Sequence, residues 1–441
     1  MKKQKTYPID KFVYPVQTFI RQEKSSGIIL GICVVIALFL ANSPWSEEYF
    51  HFFEHKLGFR FDGKTYLEFS IHHWINDGLM AIFFFVVGLE LKREITGGEL
   101  SNPRKAMLPI AAALGGMLVP AGIYILFNST GDVHKGWGIP MATDIAFALG
   151  VLYLLGKKVP LSLKVFLTAL AIVDDLGAVL VIAFFYTSDI SVFNLFIGFA
   201  FISTMYLGNK LGIRNLFFYA ILGIAGVWTA FLLSGVHATI ASVIAAFTIP
   251  ADLRIGKNDY IEKVQKYLAY IKTTPTANSK KSALSESQLD TLVEIKRNTN
   301  LAIPPLQRLE HTLHPLATFL VVPIFALANT GVSMHVSAGQ LLSSVTIGIT
   351  LGLFAGKVIG VVGTTLLLVK LKLASFPEGM NFMRLLGLGL LASIGFTMSL
   401  FITSLAFTNP DYIIEAKIGI FSASILGGIS GYLILSKNKT S

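Results

Sequence analysis

The 441-residue sequence is poor in cysteine and poor in charge. Its single cysteine, Cys33, excludes an internal disulfide and a cysteine-based metal site, and reads as a small apolar residue in a helix. Lys, Arg, Asp and Glu together make up 14% of the chain, well below the roughly 25% usual in soluble domains. Carboxylates are the scarcer sign, 26 Asp and Glu against 36 Lys and Arg. The resulting net charge of +10 invites a nucleic-acid reading. Basic residues also gather in the cytoplasmic loops of membrane proteins, so the charge is read as topology and no nucleic-acid partner is expected.

What is present is apolar surface, with hydrophobic residues at 53%. Long apolar runs recur from residue 26 to residue 436, as helices that must satisfy their own backbone groups in lipid. Twelve spans are expected, near 26–43, 71–91, 106–127, 138–156, 162–186, 193–208, 215–233, 236–250, 315–331, 340–368, 384–406 and 412–436. FLANSP after the first run resembles a signal-peptide cleavage site, but the flank before it is long and the run is kept as a membrane helix. The domain reading is therefore a cytoplasmic segment 1–25, helices one to eight over 26–250, a long cytoplasmic loop 251–311, helices nine to twelve over 312–436, and a cytoplasmic tail 437–441.

Orientation follows from the basic residues. Lys92, Arg93, Arg104, Lys105, Lys157, Lys158, Lys164, Lys210 and Arg214 would lie on the side of the N-terminus, against Lys56, Arg60, Lys64, Lys135 and Lys417 on the other. Both termini are thus expected in the cytoplasm. Outside, 44–70 contains FRFDGKTYLEF, an Asp-Gly turn between aromatic and β-branched residues, and reads as a hairpin. Within the long loop, two short amphipathic helices are expected around the linker TPTANSKKSA.

Chemistry is expected where charge enters the membrane. ALAIVDDLGAVLVIA carries Asp174 and Asp175 in the fifth span, IPMATDIAFALG carries Asp144 in the fourth, and LFAGKVIGV carries Lys357 in the tenth. Isolated ion pairs do not account for the set, because one lysine cannot neutralise three acids. Neighbouring helical residues point about 100° apart, so one aspartate can meet Lys357 while the other faces a cavity. Carboxylate oxygens are hard ligands for small hard cations and are also proton acceptors. A site that holds a cation or protons, but not easily both, is the simplest basis for exchanging one for the other. Pro140 and Thr143 beside Asp144, and the Ser/Thr-rich ASIGFTMSLF at 392–401, interrupt the fourth and eleventh spans. Interruptions in corresponding parts of two halves, spans three to five and ten to twelve, point to a midplane binding site. Gly352, Gly356 and Gly360 around Lys357 suit close helix packing.

TDIAFALG, ALAIVDDLGA, SGVHATIA, RLEHTLHP, AGKVIG and GFTMSLF, in this order, resemble the NhaA-type sodium/proton antiporter family. The resemblance runs from about residue 10 to 436, without most of 255–300. It implies an all-α polytopic fold of twelve transmembrane helices with inverted-topology repeats and two broken, crossing helices. It also implies electrogenic, pH-regulated exchange of Na+ or Li+ for H+ by alternating access, without enzymatic activity or a cofactor, in a homodimer of the bacterial inner membrane. On this resemblance Asp174 and Asp175 are the cation and proton carboxylates, Lys357 partners Asp174, and Thr143 and Asp144 belong to the crossing. Asp77, in WINDGLM, matches an acid near the outward end of span two. Glu90, Arg93 and Glu94, in VGLELKREI, match the cytoplasmic mouth, and Glu310, His311, His314 and His237 match positions tied to pH response. Without the resemblance, Glu90 and Arg93 read as an ordinary ion pair and His237 as a polar residue at a helix end. The long loop departs from the family pattern, and Ser393 stands where relatives often have glycine.

Three readings compete. A passive cation channel would use the same acids without obligatory counterflow. An intramembrane aspartic protease needs two facing aspartates, but no GxGD-type motif is present and Lys357 would disturb the dyad. A retinal protein would use Lys357 in a Schiff base, but has seven spans.

Overall fold

The computed structural model describes residues 24–62, 64–187, 190–273, 284–332 and 337–437. The linker TPTANSKKSA, the segment before residue 24 and the tail after residue 437 lie outside the described residues.

Among the described residues the regular structure is helical apart from one small sheet. It begins with α1 (Lys24–Ala41) and α2 (Ser46–Glu54), which meet at a bend of 111°. The strands β1 (Lys56–Phe61) and β2 (Lys64–Ser70) follow as an antiparallel pair. The expected hairpin is thus shorter than 44–70, because 46–54 folds as a helix with Glu47 and Glu48 in its first turn, where the helix dipole favours acids. Next come α3 (Ile71–Gly97), α4 (Pro103–Phe127), a tight 3-10 segment Asp132–Met141, and α5 (Ile145–Leu154). Then α6 (Leu161–Phe185), α7 (Val192–Lys210), α8 (Leu216–Leu232) and α9 (Ala238–Thr248) complete the first part. Two polar helices, α10 (Lys257–Thr273) and α11 (Glu286–Ala302), precede α12 (Pro305–Asn329), α13 (Ala338–Lys370), α14 (Phe382–Ala392), α15 (Phe396–Ala406) and α16 (Pro410–Lys437).

Among the described residues, eight helices are long and apolar enough to cross a membrane, with two bent pairs and two shorter apolar helices beside them. Eight spans, or ten with each bent pair taken as one, are consistent with the twelve expected, and the two shorter helices Leu216–Leu232 and Ala238–Thr248 lie where the seventh and eighth are expected. The protein is a multi-pass membrane protein whose outer face is apolar, with Leu126, Phe184 and Phe193 among the exposed side chains.

The core that positions the site is the contact between α4 and α13. Small residues let the two backbones close on each other. A β-carbon at Gly360 would collide with the carbonyl of Gly115, and one at Gly356 would come within 2.8 Å of Pro120 Cα. A single wider, π-type turn at Gly352–Gly356 precedes Lys357 and sets its direction around the helix.

Candidate ion-binding site at the helix crossing

α6 is continuous, and its two aspartates lie near its middle. Asp174 and Asp175 are 1% and 0% exposed, and Lys357 is fully buried. Lys357 reaches Asp174 from α13, its stem passing over Gly116 of α4, where a β-carbon would lie 3.6 Å from Lys357 Cδ. Nζ donates to Asp174 Oδ2 at 2.6 Å. Neither oxygen of Asp175 has a hydrogen-bond partner among the described residues, whereas Asp174 also lies against Thr143. The charges that act on Asp175 are Asp174, Asp144, Glu90 and Lys357, three acids and one base.

Beside this pair the two interrupted helices cross. Backbone freed by a break in a membrane helix must find partners elsewhere in the protein. Here each break supplies the other. Asp144 N donates to Ile394 O at 2.6 Å, Thr143 Oγ1 to Ala392 O at 2.8 Å, and Ser399 Oγ to Ile139 O at 2.9 Å. The Asp144 carboxylate caps two half-helices at once. Its Oδ1 accepts from Phe147 N at 2.9 Å at the start of α5. Its Oδ2 accepts from Thr397 N at 3.0 Å and from the Thr397 hydroxyl at the start of α15. One negative charge therefore faces two helix N-termini, where dipoles favour it. Ser393 fits without strain: its Oγ donates to Leu390 O at 2.7 Å, and Gly427 opposite leaves the room it needs.

The remaining candidates form two groups at opposite ends of α3. At one end, Arg93 binds Glu94 and Glu310, each at 2.9 Å, and Glu94 Oε2 accepts from Glu99 N. Glu90 does not form the ordinary ion pair with Arg93 that spacing alone suggests; it lies 3.7 Å from His314 Nε2. The guanidinium turns to Glu94 and Glu310 because that position gives it two carboxylates instead of one. His311 stays exposed beside Glu310. At the other end, Asp77 sits in a π-type turn and lies 3.1 Å from His73 Nε2. His237 belongs to this second group: it acts on Asp77, and its Nε2 meets Tyr186 O at 2.8 Å. It is not part of the Glu90 cluster.

Sequence reasoning did not single out Thr397, Ser399 or His73. Thr397 lies inside a quoted interruption, and a hydroxyl at the start of a half-helix was the available signal. The described residues include no cluster of three or more His, Cys, Asp or Glu able to hold a resident metal ion.

A buried carboxylate pair with one lysine, next to two interrupted helices that cross, defines a polytopic helical membrane protein with a charged site inside its helical core. The family follows from comparison with known proteins. The model of the Na+/H+ antiporter 1 family matches residues 17–435, and the chain belongs to that family. It is 48% identical over 427 residues to the Na(+)/H(+) antiporter NhaA 2 of Syntrophotalea carbinolica, covering 96% of each chain. It is 47% identical over 421 residues to the Na(+)/H(+) antiporter NhaA of Wolinella succinogenes, covering 95% of this chain and 92% of that one. The NhaA of Oleidesulfovibrio alaskensis is 48% identical over 429 residues, with 97% and 95% covered. These relatives are named as transporters and not as enzymes.

Proposed function

We propose that this chain is a secondary active antiporter that expels Na+, or Li+, in exchange for protons at Asp174 and Asp175. The observation that carries the reading is the inequality of the two carboxylates. Asp174 is neutralised by Lys357 at 2.6 Å, whereas Asp175 beside it is fully buried with no partner for either oxygen among the described residues. A buried carboxylate without a protein partner is held by a cation or by a proton, and the two exclude each other.

A small hard cation takes several oxygen ligands, more than Asp175 offers alone. It therefore draws on Asp174 and on oxygens of the crossing near Thr143. Lys357, facing no free carboxylate, then gives up its proton. One cation displaces the proton of Asp175 and that of the lysine, so the exchange moves net charge. Asp144 holds the crossing together through both half-helices, and a shift of those half-helices opens the site to one side and then to the other. Glu90, Arg93, Glu94, Glu310, His311 and His314 form the cytoplasmic mouth and its pH-responsive cluster. Asp77, with His73 and His237, lines the outer route. The basic-residue asymmetry favours cytoplasmic termini in a bacterial inner membrane. The exposed Leu57, Phe59 and Tyr66 of the hairpin favour edge-to-edge pairing in a homodimer.

The test is transport by the purified protein in proteoliposomes, with internal pH followed as external sodium is added. Proton counterflow driven by the sodium gradient, without channel-like conductance, supports the exchanger. A sodium current without proton movement supports the passive channel and overturns the proposal.

A further inference from the structure

Helices α10 and α11 form an antiparallel hairpin between the eighth and ninth apolar spans. At its base Leu306 N donates to Pro250 O at 3.1 Å and Arg254 N to Leu301 O at 3.2 Å. Just above, Tyr260 Oη meets Thr299 Oγ1 at 2.9 Å. The packed side of α11 is polar: Gln288, Thr291 and Asn298 are buried, while Leu289, Leu292 and Val293 are 52%, 40% and 55% exposed. On α10, Ile261 and Leu268 are 42% and 48% exposed. The apolar residues of this hairpin are therefore only partly used by its own packing.

These exposed residues share a face. Successive residues turn about 100° around a helix axis, so Ile261 and Leu268 stand roughly 80–100° round from Tyr260 on the packed side. Leu292, Leu289 and Val293 stand roughly 40–140° round from Gln288 in the same sense. In antiparallel helices the same sense of rotation brings both sets to one side of the hairpin. Charge sorts with them. Lys257, Lys272 and Lys296 fall within this arc, whereas Asp259, Glu262, Glu286, Asp290 and Glu294 all fall beyond roughly 160°, together with Lys266 and Arg297, which pair with Glu262 and Glu294, and with Lys263. The apolar face is thus basic and free of acids.

We propose that this face docks on anionic lipid headgroups of the leaflet from which the hairpin emerges. An amphipathic surface with apolar side chains and interspersed lysines is what an interfacial element presents to such lipids. The tethers fit: residues 251–256 link α9 and its end to α10, a reach of about 20 Å, and only 303–304 separate α11 from α12. A second copy is the less suitable occupant, because face-to-face pairing would set lysines against lysines. This proposal does not depend on which ion the midplane site carries.

The test uses the full chain with Cys33→Ser, carrying an environment-sensitive fluorophore on Leu292→Cys or, on the opposite face, on Asp290→Cys. Unchanged elution in size-exclusion chromatography confirms folding of each variant. Each protein is reconstituted in phosphatidylcholine vesicles with or without phosphatidylglycerol, and quenching by brominated acyl chains is compared with quenching by aqueous iodide. With phosphatidylglycerol, the label at 292 is expected to be quenched by bromolipid and shielded from iodide, and the label at 290 to stay open to iodide. Replacing Lys257, Lys272 and Lys296 by glutamine is expected to lower the docked-to-free ratio about fivefold per lysine. A label at 292 as open to iodide as the one at 290 overturns the proposal. So does shielding indifferent to phosphatidylglycerol and to the three lysines, or self-quenching between labels at 292 that marks a second copy on this face.

Discussion

Replacing Lys357 by methionine leaves Asp174 without its cation in a site where both side chains are sealed from solvent. Left ionised, a buried charge stripped of its partner destabilises by about 3–5 kcal/mol. Taking up a proton instead costs about 4 kcal/mol at pH 7 and about 1.5 kcal/mol at pH 5, for a carboxyl whose unfolded pKa is about 3.9. The second route caps the loss and ties it to pH. The folded variant carries a proton on Asp174 that the unfolded chain releases above about pH 4. The folded state then binds more protons, so stability falls as pH rises, by up to about 1.4 kcal/mol per pH unit. The assay is thermal unfolding of the detergent-solubilised wild type and variant from acid to alkaline pH. The gap in Tm is expected to widen from acid pH to about pH 7 and to level off above it, where leaving Asp174 ionised becomes the cheaper route. Lys357→Met combined with Asp174→Asn is expected to close most of it, since no charge is left behind. A gap that ignores pH, or a double variant no more stable than the single one, would refute the buried pair as the source of the cost.

Gly360→Ala forces a β-carbon against the Gly115 carbonyl and is expected to cost about 1–3 kcal/mol, whereas Gly363→Ala, in open space, is expected to be neutral or to gain up to about 1 kcal/mol; thermal unfolding of the two variants checks the contrast. Replacing residues 258–300 by a short Gly/Ser linker is expected to leave exchange at saturating pH largely intact, because loop length costs little closure entropy; a variant that inserts but does not transport contradicts this. His311→Gln with His314→Gln is expected to shift the pH profile of exchange even at saturating sodium, because protonated His314 pairs with Glu90 and its deprotonation releases that carboxylate. A profile that moves only with sodium concentration assigns the pH response to competition at Asp174 and Asp175 alone.

The buried charges were legible in the sequence because an aspartate in an apolar run has few structural readings. Lys357 was legible as the partner of one aspartate for the same reason, being the lysine flanked on both sides by long apolar sequence. The breaks at 142–144 and 393–395 were legible as interruptions, but their mutual pairing was not. Ser and Thr in membrane helices commonly bond a carbonyl of their own helix, as Thr330 does to Ala326. Nothing in the spacing told Thr397, which reaches across to Asp144, from those. Arg93 illustrates a related limit. The three-residue spacing to Glu90 is favourable within α3, but Glu310 comes from α12, 217 positions further along, and tertiary contact decides the pairing. In 46–54 the turn signal at Asp62 and Gly63 led to an overlong hairpin, although SEEYFHFFE has a helix's acidic first turn and buries none of its residues. His237 was grouped with the pH-responsive residues by resemblance, and the fold sets it beside Asp77, about 20 Å along α3 from Glu90.

Asp175→Asn is the shortest route to the mechanism, because it removes a carboxylate that bonds no group among the described residues and leaves the Lys357–Asp174 pair intact. The variant is expected to insert and to unfold at a temperature no lower than wild type, since a buried charge without a protein partner has been made neutral. In proteoliposomes it is expected to show no proton movement on addition of sodium at any pH. Normal sodium-driven proton movement by Asp175→Asn would contradict the assignment of the exchanged cation and proton to this side chain.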